Sequence, residues 1–303
     1  MIAARAQHRP NAIDGLQTKE QMVQFVKTEK TLHNISGMEI YRARPGQDDR
    51  SLPDWFYKVD IDGDGRTDLI MNGQWPILIL DRGPKGYWVT ALGSPGHDIN
   101  STRLVGIDTL HHPTRLLVQH FTLEQVDTLV FVKGGLFEYN PHPLKHFDFQ
   151  GLVYTTGGCE RCPVYSFAVG KKGHLEYQAS DLNERQGTFE DSLLPAQLDT
   201  LVTWLRYLPL ETLDTSYHLR AENGLVVYLD ISYNGKIRHI TDHGGMGLWG
   251  LGRIYNKFGL LHMDKENGVE DIPSAGKRKV RINGRYYTPP MIVREPDSVN
   301  GNQ

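Results

Sequence analysis

The sequence predicts an α+β fold dominated by antiparallel strands, in which a β-meander domain opened by one helix precedes a mixed-sheet domain with two helices. Three observations carry that expectation. Short apolar runs bounded by Gly, Pro, Asn and Asp recur through the first half, the pattern of a meander. Leu198, Leu201, Val202, Leu205 and Leu208 repeat at helical spacing in the second half. Asn234-Gly235 separates two further apolar runs, a pair that accepts positive φ at both turn positions and so closes a hairpin. At 303 residues the chain has room for about two domains of roughly 150 residues each.

The first element is a helix opened by Thr18, whose hydroxyl caps it while Gln21 reaches back. Met22, Phe25 and Val26 continue it at helical spacing to about His33. The strands of the meander follow at Trp55 to Val59, Asp68 to Met71, Ile77 to Leu80, Tyr87 to Leu92, Leu104 to Ile107, Arg115 to His120, Thr128 to Val132 and Leu136 to Tyr139. The turn-rich Asn140-Pro-His-Pro segment marks a boundary. Beyond it, Leu152 to Thr155, Val164 to Val169 and His174 to Gln178 read as strands. Pro195 opens a helix that Pro209 closes, and Leu225 to Tyr233 pairs with Ile237 to Ile240 across Asn234-Gly235. Leu248, Leu251, Ile254, Tyr255 and Phe258 give a last helix, and Val280 to Ile282 a strand in the tail. The expected organisation is a disordered or processed terminus at 1–17, a calcium-loop domain at 18–148, an α+β domain at 149–265 and a tail at 266–303.

Composition narrows the function. Hydrophobic residues at 39% and charged residues at 23% are ordinary globular usage, and no apolar run approaches the ~20 residues that span a bilayer. A net charge of -3 offers no field for nucleic acid. Ala4-Arg5-Ala6 before Gln7 has the small-x-small form of a signal-peptidase site, and points to an extracytoplasmic location.

Asp60-Ile-Asp62-Gly-Asp64-Gly65-Arg66-Thr-Asp68 is the strongest motif. Calcium takes six to eight hard oxygens, and a tight loop delivers them from carboxylates at positions 1, 3, 5 and 9 and a backbone carbonyl at 7. These positions are Asp60, Asp62, Asp64, Asp68 and the Arg66 carbonyl. Gly65 falls where the chain turns sharply. Position 12 is Asn72 in place of a bidentate glutamate, and the flanks read as strand. The loop resembles the calcium loops of FG-GAP and related propeller-type repeats, over a strand, the loop and a strand, without a second copy.

The two cysteines fall in Gly157-Gly158-Cys159-Glu-Arg-Cys162-Pro163-Val-Tyr165. From about Phe149 to Leu261 the chain resembles a bacterial domain of unknown function, common in exported and lipid-anchored envelope proteins, with a Cys-x-x-Cys-Pro-x-Tyr signature. Three readings of the pair stay open. Thiol exchange needs a lowered thiol pKa, and the strand-like run after Pro163 supplies no helix dipole. Zinc needs four ligands, which His174, His239 or His243 would complete. A local disulfide or two ordinary thiols is the third. His239-Ile-Thr-Asp242-His243-Gly-Gly ends a strand before a helix, a place for acid-base chemistry or for a simple cap.

The basic set Lys277, Arg278, Lys279, Arg281 and Arg285 reads as a solvated strand face, and Trp55, Phe56, Trp75, Tyr87 and Trp88 read as sheet packing. The expected function is an exported, calcium-stabilised binding or structural module of the bacterial cell envelope, engaging another envelope protein or a glycan. A thiol-disulfide redox protein using Cys159 and Cys162, or a hydrolase using Asp242 and His243, are the alternatives.

Overall fold

The computed structural model describes residues 8–29, 32, 56–72, 76–92, 102–120, 125–158, 162–184, 186–218, 225–245, 247–268, 280–282 and 285–287. The protein is mostly antiparallel β with three helices among the described residues, an α+β fold. It divides into two compact units, Met1–Pro143 with Leu248–Arg253, and Leu144–Gly247 with Ile254–Gln303.

The first unit holds α1 (Lys19–Thr28) and two four-stranded meanders. β1 (Phe56–Val59), β2 (Asp68–Asn72), β3 (Pro76–Asp81) and β4 (Tyr87–Ala91) pair antiparallel in sequence order. β5 (Thr102–Asp108), β6 (Arg115–His120), β7 (Gln125–Val132) and β8 (Gly135–Glu138) do the same. β2 and β3 have apolar centres and are buried on both faces, and the alternation of side chains sends their residues into two cores. Ile70, Leu78 and Leu80 pack with Leu104, Leu116, Val118 and Leu129 of the second meander and with Trp249. Leu69, Met71, Ile77 and Ile79 pack with Ile13 and with Met22 and Val26 of α1. The first sheet is therefore a middle layer, covered on one side by α1 and on the other by the second sheet.

Thr18 caps α1 with the expected box, its hydroxyl accepting from the Gln21 N–H while the Gln21 side chain accepts from the Thr18 N–H. The helix stops at Thr28, where the Glu29 N–H still bonds the Phe25 carbonyl, short of the expected His33, which lies outside the described residues. Phe25 meets Tyr87 edge to face at 5.1 Å and Trp88 meets Phe131 at 6.0 Å, so these two members of the aromatic set serve packing. Trp55 and Trp75 lie outside the described residues.

The second unit is built on a seven-stranded sheet of order β12-β11-β10-β9-β14-β15-β13. Its strands are β9 (Phe149–Gly157), β10 (Tyr165–Gly170), β11 (His174–Ala179), β12 (Gly187–Ser192), β13 (Ser216–His218), β14 (Val226–Tyr233) and β15 (Lys236–His243). All neighbours are antiparallel except β13 on β15. α2 (Pro195–Tyr207) buries Leu201, Trp204 and Leu205. α3 (Trp249–Gly268) lays Phe258 against Tyr154 at 4.9 Å and Phe167 at 5.4 Å, with His262 stacked on Tyr165 at 4.0 Å. Asn234 and Gly235 take φ of 48° and 76°, the two positive values that the hairpin turn requires. β16 (Val280–Ile282) and β17 (Arg285–Tyr287) form a separate hairpin. Of the basic set, residues 277–279 lie outside the described residues.

Candidate metal centre and polar clusters

The Asp60–Asp68 segment joins β1 to β2 within the first meander, and its carboxylates fold the loop around themselves. Asp60 accepts from the Gly63 N–H through Oδ1 at 2.8 Å and from the Gly65 N–H through Oδ2 at 2.9 Å. Asp62 accepts from the Asp64 N–H at 3.2 Å, and Asp64 from the Arg66 N–H at 2.8 Å. Gly65 takes φ of 85° at the bend, where a side chain would be strained. Asp68, fully buried, accepts from the Ile61 and Asp81 N–H groups at 2.9 Å each.

Asp60, Asp62 and Asp68 each present an oxygen within 4.8 Å of the others. Each oxygen of Asp60 and Asp68 accepts one backbone hydrogen bond and keeps lone-pair capacity. An all-carboxylate donor set suits a hard cation such as calcium or magnesium. Burial, followed by repulsion from Asp64, raises the Asp62 pKa. Burial also pushes Asp68 up to about 8, with Asp62 and Asp60 adding to it. Asp64 stands outside the trio, with Oδ2 3.8 Å from Arg66 Nε. Arg66 also lies 3.8 Å from Asp81. Asn72, at position 12, donates instead to the Leu104 carbonyl of β5 at 3.1 Å.

Several partners of the loop come from far along the chain, where no local motif marks them. Thr114 donates to the Asp60 carbonyl at 2.8 Å. The segment His8–Leu16 lies along the far side, with the Arg9 N–H on the Gly65 carbonyl at 2.7 Å and Asn11 Nδ2 on the Thr67 carbonyl at 2.7 Å.

Of the cysteine pair, Cys159 lies outside the described residues, while Cys162 sits half-buried just ahead of β10. The backbone that leads from Cys162 into β10 is tied to its neighbours. Thr156 Oγ1 donates to the Pro163 carbonyl at 3.0 Å and accepts from the Tyr165 N–H at 3.1 Å, and the Val164 N–H bonds the Asp181 carbonyl.

His239, Asp242 and His243 are not brought together. Successive side chains of a strand point to opposite faces, so Asp242 shares the buried face of β15 with Ile240 while His239 and His243 lie on the other. Asp242 is fully buried and accepts from the Gly247 N–H at 2.9 Å, tightening the turn before α3. His239 pairs with Asp230 at 2.7 Å, and His243 stacks on His218 at 4.6 Å.

Glu138 and Asp127 form a cluster with no local sequence signal. Glu138 accepts from the Trp249 N–H and, at 3.2 Å, from the Gly250 N–H, while Trp249 Nε1 donates to Asp127 at 2.9 Å. Glu138 thus satisfies two backbone donors that a helix start leaves without partners, while Asp127 holds the indole of the first helical residue. Burial, partly opposed by these bonds, pushes Glu138 up to about 7.

No helix among the described residues is long and apolar enough to cross a membrane. No curated protein and no solved structure matches the chain. Residues 152–259, from β9 through the first half of α3, match the model of a family described as a domain of unknown function, DUF6438.

Proposed function

We propose that the protein is an exported binding or structural module of the bacterial cell envelope, with calcium held at Asp60, Asp62, Asp64, Asp68 and the Arg66 carbonyl as a stabilising ion. The observation that carries the metal reading is the convergence of the Asp60, Asp62 and Asp68 oxygens within 4.8 Å in a loop braced by its own backbone. Without a cation those charges repel one another and lose hydration; with one, the same crowding becomes coordination. Export is supported by the Ala4-Arg5-Ala6 segment and by the abundance of calcium outside the cytoplasm, where a loop open on one side would fill. The surface then serves a partner in the envelope, either a protein or a glycan.

Thermal melting in EDTA and across a calcium titration, with magnesium as control, tests the metal reading. Calcium at about 100 times its dissociation constant should add about 2.7 kcal/mol, a shift of several degrees. Asp62→Ala should abolish that shift. In EDTA the variant should melt no lower than the wild type, because it removes a carboxylate that Asp60 and Asp64 repel. A calcium-independent melt of the wild type would overturn the reading.

We further propose that Cys159 and Cys162 form a local disulfide, in keeping with export. Among the described residues no cysteine is a free thiol, and a strand, β10, follows the pair, leaving no helix start to activate a thiolate. Counting thiols on the unfolded protein with and without reductant tests it. Two reactive thiols before reduction would refute the bond.

A further inference from the structure

The segment His8–Leu16 belongs to no sheet, yet its hydrogen bonds gather on the back of the cation loop. Arg9 forms an isolated parallel bridge with Arg66. Its N–H takes the Gly65 carbonyl, and Asn11 Nδ2 takes the Thr67 carbonyl, each at 2.7 Å. The Thr67 hydroxyl donates to Asp14 at 2.6 Å, and Lys58 Nζ donates to the Asp14 and Leu16 carbonyls. Ile13, fully buried, anchors the segment in the core beneath α1.

This pattern fixes the direction of one carbonyl. In extended backbone the N–H and C=O of a residue share a side, and those of its neighbours point the opposite way. The Gly65 and Thr67 carbonyls face the segment, and the Arg66 N–H faces the loop, where it donates to Asp64 at 2.8 Å. The Arg66 carbonyl is thereby turned away from the segment, to the side of the loop on which its own N–H meets Asp64.

We propose that His8–Leu16 is a positioning strap for the cation loop, so that strap docking and calcium affinity are coupled through the Arg66 carbonyl. The inference rests on the calcium reading above. A docked strap presents a carbonyl already oriented, and by linkage a bound cation must hold the strap down to the same degree. Arg9 and Asn11 act on the ion without touching it.

Calorimetric calcium titration of the full chain, its Asn11→Ala and Arg9→Pro variants and Asp62→Ala, combined with hydrogen exchange of the strap amides in calcium and in EDTA, tests the coupling. Asn11→Ala removes the donor to Thr67, and Arg9→Pro removes the N–H to Gly65 at an exposed position. Each should weaken calcium by about 5-fold or more, and calcium should slow exchange across the strap of the wild type, a readout that needs no variant. Wild-type affinity in both variants, with strap exchange indifferent to calcium, would overturn the coupling and leave the metal site standing. If the wild type binds calcium no better than Asp62→Ala, the metal reading itself falls and the strap coupling falls with it.

Discussion

Glu138 carries a cost that pH can expose. Its folded pKa lies at about 7 against an ordinary 4.5, so below pH 4.5 the side chain is neutral in both states. As pH rises, the unfolded chain ionises first while the folded chain keeps its proton. Stability is therefore full below 4.5 and falls until the folded group ionises near 7. At about 1.4 kcal/mol per pH unit, the rise from 4.5 to about 7 bounds the loss at about 3 to 4 kcal/mol, reduced by whatever water the partly exposed carboxylate retains. Asp127 is the other acid in contact with the Trp249 end of α3, and its charge adds to the rise. Glu138→Gln should flatten the fall in denaturant stability between pH 4.5 and 7, although the amide cannot accept from both N–H groups and lowers the plateau. An unchanged slope in the variant would assign the pH dependence to other groups. Nothing near Glu138 in the sequence signals this role, because its partner Trp249 is more than a hundred residues away.

The elements divide by how local their causes are. The Asp60–Asp68 loop, the Asn234-Gly235 turn and α2 between Pro195 and Pro209 are written in residues a few positions apart, and the structure forms each there. β12 and β13 are not written that way. Gly187-Thr-Phe-Glu-Asp-Ser buries only Phe189, since an edge strand needs one apolar contact and a ladder. β13 is three residues long and is held by its pairing to β15. The separation of Asp242 from His243 was likewise hidden until the strand extended to His243 and set them on opposite faces. Gly158 is a position whose need only the fold reveals. It takes φ of 79°, and a Cβ there would meet Val226 Cγ2 at 2.3 Å, on a buried side chain of β14. Gly158→Ala should therefore cost about 2 kcal/mol or more from strain and overpacking together, read as a lower denaturant midpoint. A loss within a few tenths would mean that the backbone at Gly158 shifts freely.

At the scale of the whole molecule, the division into two compact units would make calcium, bound at the proposed site, a selective probe. Among the described residues, the loop bonds to the first unit: Thr114, Asp81 and the strap. A cation that stabilises the native loop lowers the population of every opening that disrupts it and leaves other openings untouched. Native-state hydrogen exchange in calcium and in EDTA reads both units at once. Amides of β2 and β3, which carry Asp68 and Asp81, should gain protection by about the same free energy as the melting shift. Those at the centre of the seven-stranded sheet, in β9, β10 and β14, should gain none. Equal gains in both sets would mean that the units open as one cooperative block, so that the division between residues 143 and 144 is one of packing and not of stability. Gains confined to the first unit would establish the calcium loop as a local brace, leaving the second unit stable by its aromatic core of Tyr154, Phe167 and Phe258.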